Sequence, residues 1–479
     1  MTILNFQCLL NDALNGKEEA LNQWNTHTIA HDFTEEEISQ ALKAFAAVAA
    51  TDSKKSYALF LKGLWCENGL LEDEDYSETI SLYAAAIEFD NTAAMVRRAY
   101  MNQEGMGGDV NYAEALRLYD RAIERGNADA MNNRANMHEN GLGGDVNYAE
   151  ALRLYDRAIE RGNADAMNNR ANMHENGLGG DVNYAEAIRL YEMAIELGNA
   201  AAMNNRALMH ALAKGGVRDY KAAIQHFDAA IKLGHASAMC NRAHMHQNGL
   251  GDEINYAEAI RLYEAAIEHG DVPAILRRAF MHQEGLGGAR NYREALSLYE
   301  KYEEETGEEA DGLQDCRKKI ISEFRETNKK LDNLYAQIDK LSQHGKTIGS
   351  RKGEMVQVHA QELESMLNAF ILTYYKNDTV PSGEEEQLFK AKFIQCLKSK
   401  DKEMGEHREA WKPIVNNVLI ALTGIGFVAL LAKIITHAVT SHLNKTDFSL
   451  NKACFFAETR SQRLALEIEQ ANNWVLCRA

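Results

Sequence analysis

The chain repeats itself every 36 residues, and this period limits its fold more than any other feature. Tyr76, Tyr112, Tyr148, Tyr184, Tyr220, Tyr256 and Tyr292 recur at that interval. Residues 111–146 and 147–182 are identical copies of NYAEALRLYDRAIERGNADAMNNRANMHENGLGGDV. A short, strict period marks an array in which each unit is one supersecondary element. Here each unit reads as two helices. The first runs from about Asp129 to Asn140 and stops at Gly141, since glycine tolerates the left-handed backbone of a helix end. The second runs from Tyr148 to Arg161. Its Ala151, Leu154, Tyr155, Ala158 and Ile159 fall on one face at helical spacing. Asn147 offers an N-cap and Gly162 a stop. With only 3 prolines in 479 residues, little interrupts these helices.

One hairpin cannot bury its apolar stripe alone, so neighbours must stack into a continuous core. The expected fold is therefore all-α: an α-solenoid, a superhelix of seven 36-residue helix hairpins over residues 56–307. Residues 1–55 form a helical N-terminal cap, in which 33–50 read as a worn second helix of an eighth unit.

The recurring wording AMxNRAxMHxxGLGGxxNYxEAIRLYExAIExG resembles the Sel-one-like repeat, a relative of the tetratricopeptide repeat. Arg134–Ala135 stand where the family has a Leu–Gly pair, and His138 where it has Tyr. The resemblance implies binding and assembly rather than chemistry. It also implies that the first helix of each unit lines a concave side. The phrasing further resembles repeat proteins that Legionella-type bacteria deliver into host cells. A cysteine-rich Sel-one-like group is described as hydrolases, but its members pair cysteines in every repeat, and this chain does not.

Periodicity allows each position to be read as a column. His138, His174, His210, His246 and His282 form one. Neighbouring helices lie about 8–10 Å apart, whereas zinc needs donors near 2 Å, so these histidines read as packing residues and no metal ligand is assigned. Arg98, Arg134, Arg170, Arg206, Arg242 and Arg278 form a second column. Semi-buried guanidiniums need acceptors, and Asp145 and Glu150 are candidates. The third column is asparagine: Asn132, Asn133, Asn136, Asn168, Asn169, Asn172, Asn204, Asn205 and Asn241. Solvated helix faces favour better helix formers. An amide both donates and accepts, so such a row could hold the backbone of an extended peptide. It could equally stitch neighbouring helices together. Both readings stand.

The net charge of −18, from 52 Lys and Arg against 70 Asp and Glu, argues against nucleic acid as the partner. Seven scattered cysteines without a CxxC pair fit neither a disulfide framework nor a zinc finger. The first residues lack the basic and apolar regions of a signal peptide. No GxSxG, HExxH or phosphate-loop motif occurs. No catalytic residue and no cofactor are expected.

Beyond the repeats, residues 308–410 read as a helical region. One long helix is expected from about Asp311 to Gln343, then a flexible loop over His344–Gly353. Two amphipathic helices follow, near Glu354–Lys376 and Glu384–Glu409. This region shows no clustered polar constellation. Residues 411–438 predict a transmembrane helix. Ile414–Ala432 is free of charge for 19 residues, reaching roughly 28 Å at helical rise. Trp411, Lys412 and Lys433 flank it as interfacial anchors do. Residues 439–479 read as a helical tail. The unit WKPIVNNVLIALTGIGFVALL…FFAET resembles C-terminal segments of Legionella-type effectors. The expectation is a non-catalytic scaffold that is membrane-associated through 414–432, delivered into a host cell and recruits a host protein or extended peptide. The alternative is a hydrolase or other enzyme with its site in the helical C-terminal region.

Overall fold

The computed structural model describes residues 3–399 apart from 30–32, 49–52, 72–75, 349–350 and 377–380, together with 417 and 418. All regular structure among the described residues is helical. The chain divides into two compact units, Met1–His235 and Ala236–Ala479.

The first unit opens with α1 (Ile3–Leu14), α2 (Glu18–Ile29) and α3 (Glu35–Ala47). Thr34 and Glu37 form a capping box at the start of α3, each side chain satisfying the other's backbone N–H. These helices enclose an aromatic cluster. Trp24 stacks on Trp65 at 5.1 Å, with Phe33 and Phe45 against the pair. Trp65 belongs to α4 (Ser53–Glu67), which pairs with α5 (Tyr76–Glu88). Four further hairpins follow in this unit: α6 (Thr92–Glu104) with α7 (Tyr112–Glu124), α8 (Ala128–Asn140) with α9 (Tyr148–Ile159), α10 (Ala164–Asn176) with α11 (Tyr184–Glu196), and α12 (Ala200–Leu212) with α13 (Tyr220–Lys232).

The same few residue types build every hairpin. Ala130, Ala135, Ala151 and Ala158 are fully buried, and their small side chains let the helices approach closely. Met131, Met137, Leu154 and Tyr155 fill the remaining space. Burying one such large side chain contributes about 1.5–3 kcal/mol. The tyrosine column carries a polar tip, and its hydroxyl donates to the residue 16 positions earlier: Tyr155 to Glu139 at 2.8 Å and Tyr191 to Glu175 at 2.9 Å. Position 227 is Phe, and position 211, where the acceptor would stand, is Ala. Donor and acceptor are thus lost together, which avoids a buried hydroxyl without a partner.

Asparagine caps most of the hairpin helices, with Asp219 and Asp271 in its place at α13 and at the helix that begins at Val272. Asn127 Oδ1 accepts from the Ala130 N–H at 2.7 Å, and Asn147 Oδ1 from the Glu150 N–H at 3.1 Å. The first-helix caps also reach backwards along the array: Asn163 donates to Asp129 and Asn199 to Asp165, each at 2.7 Å.

The second unit contains α14 (Ala236–Asn248) with α15 (Tyr256–Glu268) and α16 (Val272–Glu284) with α17 (Tyr292–Thr306). Four helices follow: α18 (Leu313–Thr327), α19 (Lys329–Ile348), α20 (Arg351–Lys376) and α21 (Gly383–Lys398). They pack on the last hairpin, where Tyr292, Leu296 and Tyr299 share a core with Leu313, Ile320, Leu334, Leu363 and Ile371. Arg293 Nε adds a hydrogen bond to the Tyr375 carbonyl at 2.9 Å.

Two expectations for this region are corrected. The single helix from Asp311 to Gln343 is two helices, broken at Asn328, which leaves helical geometry at φ −132°, ψ 97°. The Asn328 side chain then caps α19 by accepting from the Leu331 N–H at 3.1 Å. The flexible loop over His344–Gly353 is largely the end of α19 and the start of α20. Its glycines serve close packing. A Cβ on Gly345 would sit 2.7 Å from the Gly353 carbonyl oxygen, and one on Gly353 would sit 2.3 Å from that of Gly345.

Among the described residues, no helix is long and apolar enough to cross a membrane. The run 414–432 lies, apart from 417 and 418, outside the described residues.

Candidate functional site

The asparagine column sits on the first helix of each hairpin and splits into rows. Asn132, Asn168 and Asn204 are buried. Asn133, Asn169 and Asn205 are half-buried beside them, and so are Asn136 and Asn172 one turn on. The amides form a continuous ladder across three hairpins. Asn204 donates to Asn205 at 3.2 Å, and Asn205 donates to Asn168 at 2.9 Å. Asn168 donates to Asn169 at 3.2 Å, Asn169 to Asn132 at 3.0 Å, and Asn132 to Asn133 at 3.2 Å. Asn172 accepts from Asn205 at 3.2 Å and also from the Tyr191 hydroxyl. On the N-terminal side the ladder meets Val96, which stands 36 residues before Asn132 and has no amide. Asn241 belongs to α14 of the second unit, where it is half-buried.

This geometry engages the inner asparagines with one another, so stitching of neighbouring helices is present. The outer surface of the same helices is a different row. Tyr100, Asn136, Asn172 and Leu208 occupy one position 36 residues apart, and Glu104, Asn140, Asn176 and Leu212 occupy the position one turn later. Tyr100, Asn140, Asn176 and Leu212 are exposed. Asn140 and Asn176 donate to the carbonyls of Asn136 and Asn172 at 2.9 Å. Sequence reasoning missed Asn140 and Asn176, although each follows Asn136 or Asn172 by four residues and so shares its face. The face offers amide and apolar groups, with one exposed carboxylate, Glu104, at its N-terminal end.

Arg242 pairs at 2.8 Å with Asp252 in the loop that follows its helix, the kind of acceptor expected, whereas four others of the column pair with the preceding hairpin. Arg134 pairs with Asp120 at 3.2 Å, Arg170 with Asp156 at 3.1 Å, Arg206 with Glu192 at 2.8 Å, and Arg278 with Glu264 at 3.0 Å. Each acceptor stands 14 residues earlier, on the second helix of the preceding hairpin. The candidate Asp145 is exposed, and Glu150 instead pairs with Arg153 at 2.5 Å. Arg98 has Ala84 at the corresponding place, and burial lowers its pKa.

The histidines belong to this ion-pair column. Arg134 lies 2.7 Å from His138 Nε2, and Arg170 lies 2.7 Å from His174 Nε2. A neutral imidazole nitrogen accepts from a guanidinium, whereas an imidazolium would repel it. Burial first, then the arginine charge, lowers the pKa of His138, His174 and His210 below the ordinary 6.5, and takes His282 down to about 4. A depressed histidine pKa means that the unfolded chain binds more protons. The stability this supplies is complete above pH 6.5 and is lost as pH falls toward about 4. Denaturant midpoints are therefore expected to fall through that window. His282→Gln should flatten the slope there, and an unchanged slope would refute the assignment.

The C-terminal helices contain a cluster that the sequence reading overlooked. His359 and Glu362 on α20 and Cys396 on α21 bring their potential ligand atoms within 4.8 Å of one another. The His359–Glu362 spacing of three, on one helix face, was the available signal.

The described residues thus form α/α hairpins, and in the first unit the helices α8, α10 and α12 carry a row of amides. The Sel1 repeat family matches six consecutive units, residues 92–127, 128–163, 164–199, 200–235, 236–271 and 272–301. These matches span residues 92–301, a little under half of the chain, which is there similar to Sel1 repeats. The hairpin of α4 and α5 precedes the first matched unit. Among solved structures, the chain is similar to a Sel1 repeat protein from Oxalobacter formigenes, with 24% identity over 53% of this chain and 100% of that one and a TM-score of 0.45. It is also similar to c5321, a protective antigen present in uropathogenic Escherichia coli strains and displaying an SLR fold, with 17% identity over 87% and 98% of the two chains and a TM-score of 0.42. Among curated proteins nothing matches the chain.

Proposed function

We propose that the chain is a non-catalytic scaffold that captures an extended segment of a partner polypeptide on the first-helix face of its first unit. The observation that carries this reading is the outer row. Tyr100 and Leu212 supply apolar contact at its ends, and Asn140 and Asn176 supply exposed side-chain amides between them. An extended backbone has N–H groups to offer such amides, and its side chains can cover the apolar positions. The inner asparagines position this row rather than touch the ligand, because their amides are engaged in the ladder. With Glu104 the one charge in the outer row, affinity should depend weakly on salt.

The finer reading is a bacterial effector held at a host membrane through 414–432, so that the captured protein is concentrated at that surface. The charge-free run with flanking Trp411, Lys412 and Lys433 supports the tether. Fractionation with and without residues 411–440 tests it, and equal partitioning of the two forms would discard it.

The face is tested by selecting a displayed peptide library on the full chain. Selected peptides are expected to lose at least about tenfold in affinity, or about 1.4 kcal/mol, on a variant carrying Tyr100→Ala, Asn140→Ala, Asn176→Ala and Leu212→Ala. Its helical signal and melting temperature should match the wild type. Equal affinity on the two forms, or no enrichment, removes this face from consideration.

A further inference from the structure

We propose that His359, Glu362 and Cys396 bind a zinc-type divalent transition ion that clamps α21 to α20. The site is distinct from the repeat face and independent of its reading.

His359 is fully buried on α20. Its Nε2 lies 3.4 Å from the Leu397 backbone carbonyl, and its Nδ1 lies 3.2 Å from Glu362 Oε2. In the tautomer whose Nε2–H donates to that carbonyl, Nδ1 holds a lone pair. That lone pair faces a carboxylate, which leaves two acceptors opposed at 3.2 Å. A cation between them reconciles the arrangement. The Cys396 sulfur comes to the same place from α21, and the donor atoms of all three residues lie within 4.8 Å of one another.

Metal bonds of about 2.0–2.3 Å need the donors drawn somewhat closer. Glu362 is half exposed and free to rotate inward. Its exposure also opens a fourth position to water, so the set would be a three-residue tetrahedral site. Imidazole, thiolate and a single carboxylate suit zinc-type ions, whereas magnesium and calcium prefer all-oxygen sets. The Leu397 carbonyl supplies the outer support that metal-bound histidines usually have, fixing both ring orientation and tautomer. Leu397 neighbours Cys396 in the chain, so one stretch of α21 would provide both a ligand and the support for another.

A clamp has a structural purpose here. Among the residues of α21, those buried against its neighbours are Phe389, Phe393 and Leu397. Cys396 is partly exposed on the same helix, so the ion would join a sulfur on α21 to two donors on α20.

The test is titration of the reduced, metal-free full chain with Co2+, followed by displacement with Zn2+. We expect a near-ultraviolet sulfur-to-cobalt band that saturates at one ion per chain and is bleached by zinc. Cys396→Ser should abolish it, and Cys8→Ser, at an exposed cysteine, should retain it. Glu362→Gln is the variant least able to disturb folding, and it should weaken zinc binding by about tenfold or more with the metal-free melting temperature unchanged. Zinc should raise the melting temperature of the wild type but not of Cys396→Ser. Absence of the band, or a band unchanged in Cys396→Ser, overturns the proposal. So does equal zinc affinity in Glu362→Gln, which would mean that a second proton on His359 answers the carboxylate.

Discussion

A chain carrying Asn132→Ala, Asn168→Ala and Asn204→Ala together is expected to unfold at clearly lower urea than the wild type, with a loss of about 4 kcal/mol. The loss comes from the hydrogen-bond partners that each truncation removes. Removing the Asn168 side chain takes from Asn205 its acceptor at 2.9 Å, leaving it Asn172 at 3.2 Å, and takes from Asn169 the donor it has at 3.2 Å. A buried polar group left unmade costs about 1–3 kcal/mol. The neighbours are half-buried, so each cost lies toward the lower end. The three sites belong to one network, so their effects need not add. Asn140→Ala and Asn176→Ala serve as the contrast. Those residues are exposed, and the change should stay within about 0.5 kcal/mol. Should the triple variant prove as stable as the wild type, the ladder would be contributing nothing and its amides would be available to a ligand.

This contrast also shows where the sequence stopped being informative. Period and residue type placed the asparagines on the first helices, because a 36-residue spacing and a 3.6-residue turn together fix which positions recur on a face. They could not choose between stitching and binding, because the amide chemistry is the same for both. What decides is the lateral distance between hairpins, and no local pattern encodes it. The arginines teach the same lesson. Asp145 and Glu150 looked adequate as partners because they are near in sequence, yet Arg134 reaches Asp120 on the preceding hairpin. In hindsight the pairing was legible, since an acidic residue stands 14 positions before Arg134, Arg170, Arg206 and Arg278, and Ala84 stands before Arg98.

The C-terminal helices were harder to read because they do not repeat. Leu331, Leu334, Ile338 and Leu341 keep a 3–4 spacing with Phe324, so the apolar pattern runs straight through the break at Asn328. Only the capping chemistry of that asparagine marks it. Gly345 and Gly353 were read as loop residues by composition, whereas they mark the close approach of α19 and α20. His359 and Cys396 stand 37 residues apart on different helices, so their meeting depends on how α21 packs on α20, a tertiary fact.

The loop that joins the two helices of a hairpin provides the second large effect. Gly143→Ala is expected to cost about 3 kcal/mol, whereas Gly144→Ala should be close to neutral. Gly143 has φ +78°, and a Cβ there would stand 2.8 Å from Tyr112 Cβ and 3.2 Å from Leu116 Cδ1. An alanine in this left-handed region costs about 1–2 kcal/mol by itself. Overpacking against a neighbouring element adds about 1–3 kcal/mol. Gly144 has no such backbone constraint, and nothing lies within 4 Å of its added Cβ. Substitution there mainly reduces the freedom of the unfolded chain, which favours folding slightly. Tyr112 and Leu116 belong to α7, so Gly143 is where one hairpin's loop rests on the preceding hairpin. The same seat recurs at Gly107 on Tyr76, Gly179 on Tyr148 and Gly215 on Tyr184. Because residues 147–182 copy 111–146, Gly179→Ala should cost as much as Gly143→Ala. Urea denaturation of the three single variants checks both statements. Equal losses at Gly143 and Gly144 would show that the loop merely dislikes alanine, and that its contact with the preceding hairpin contributes nothing to the stacking of the array.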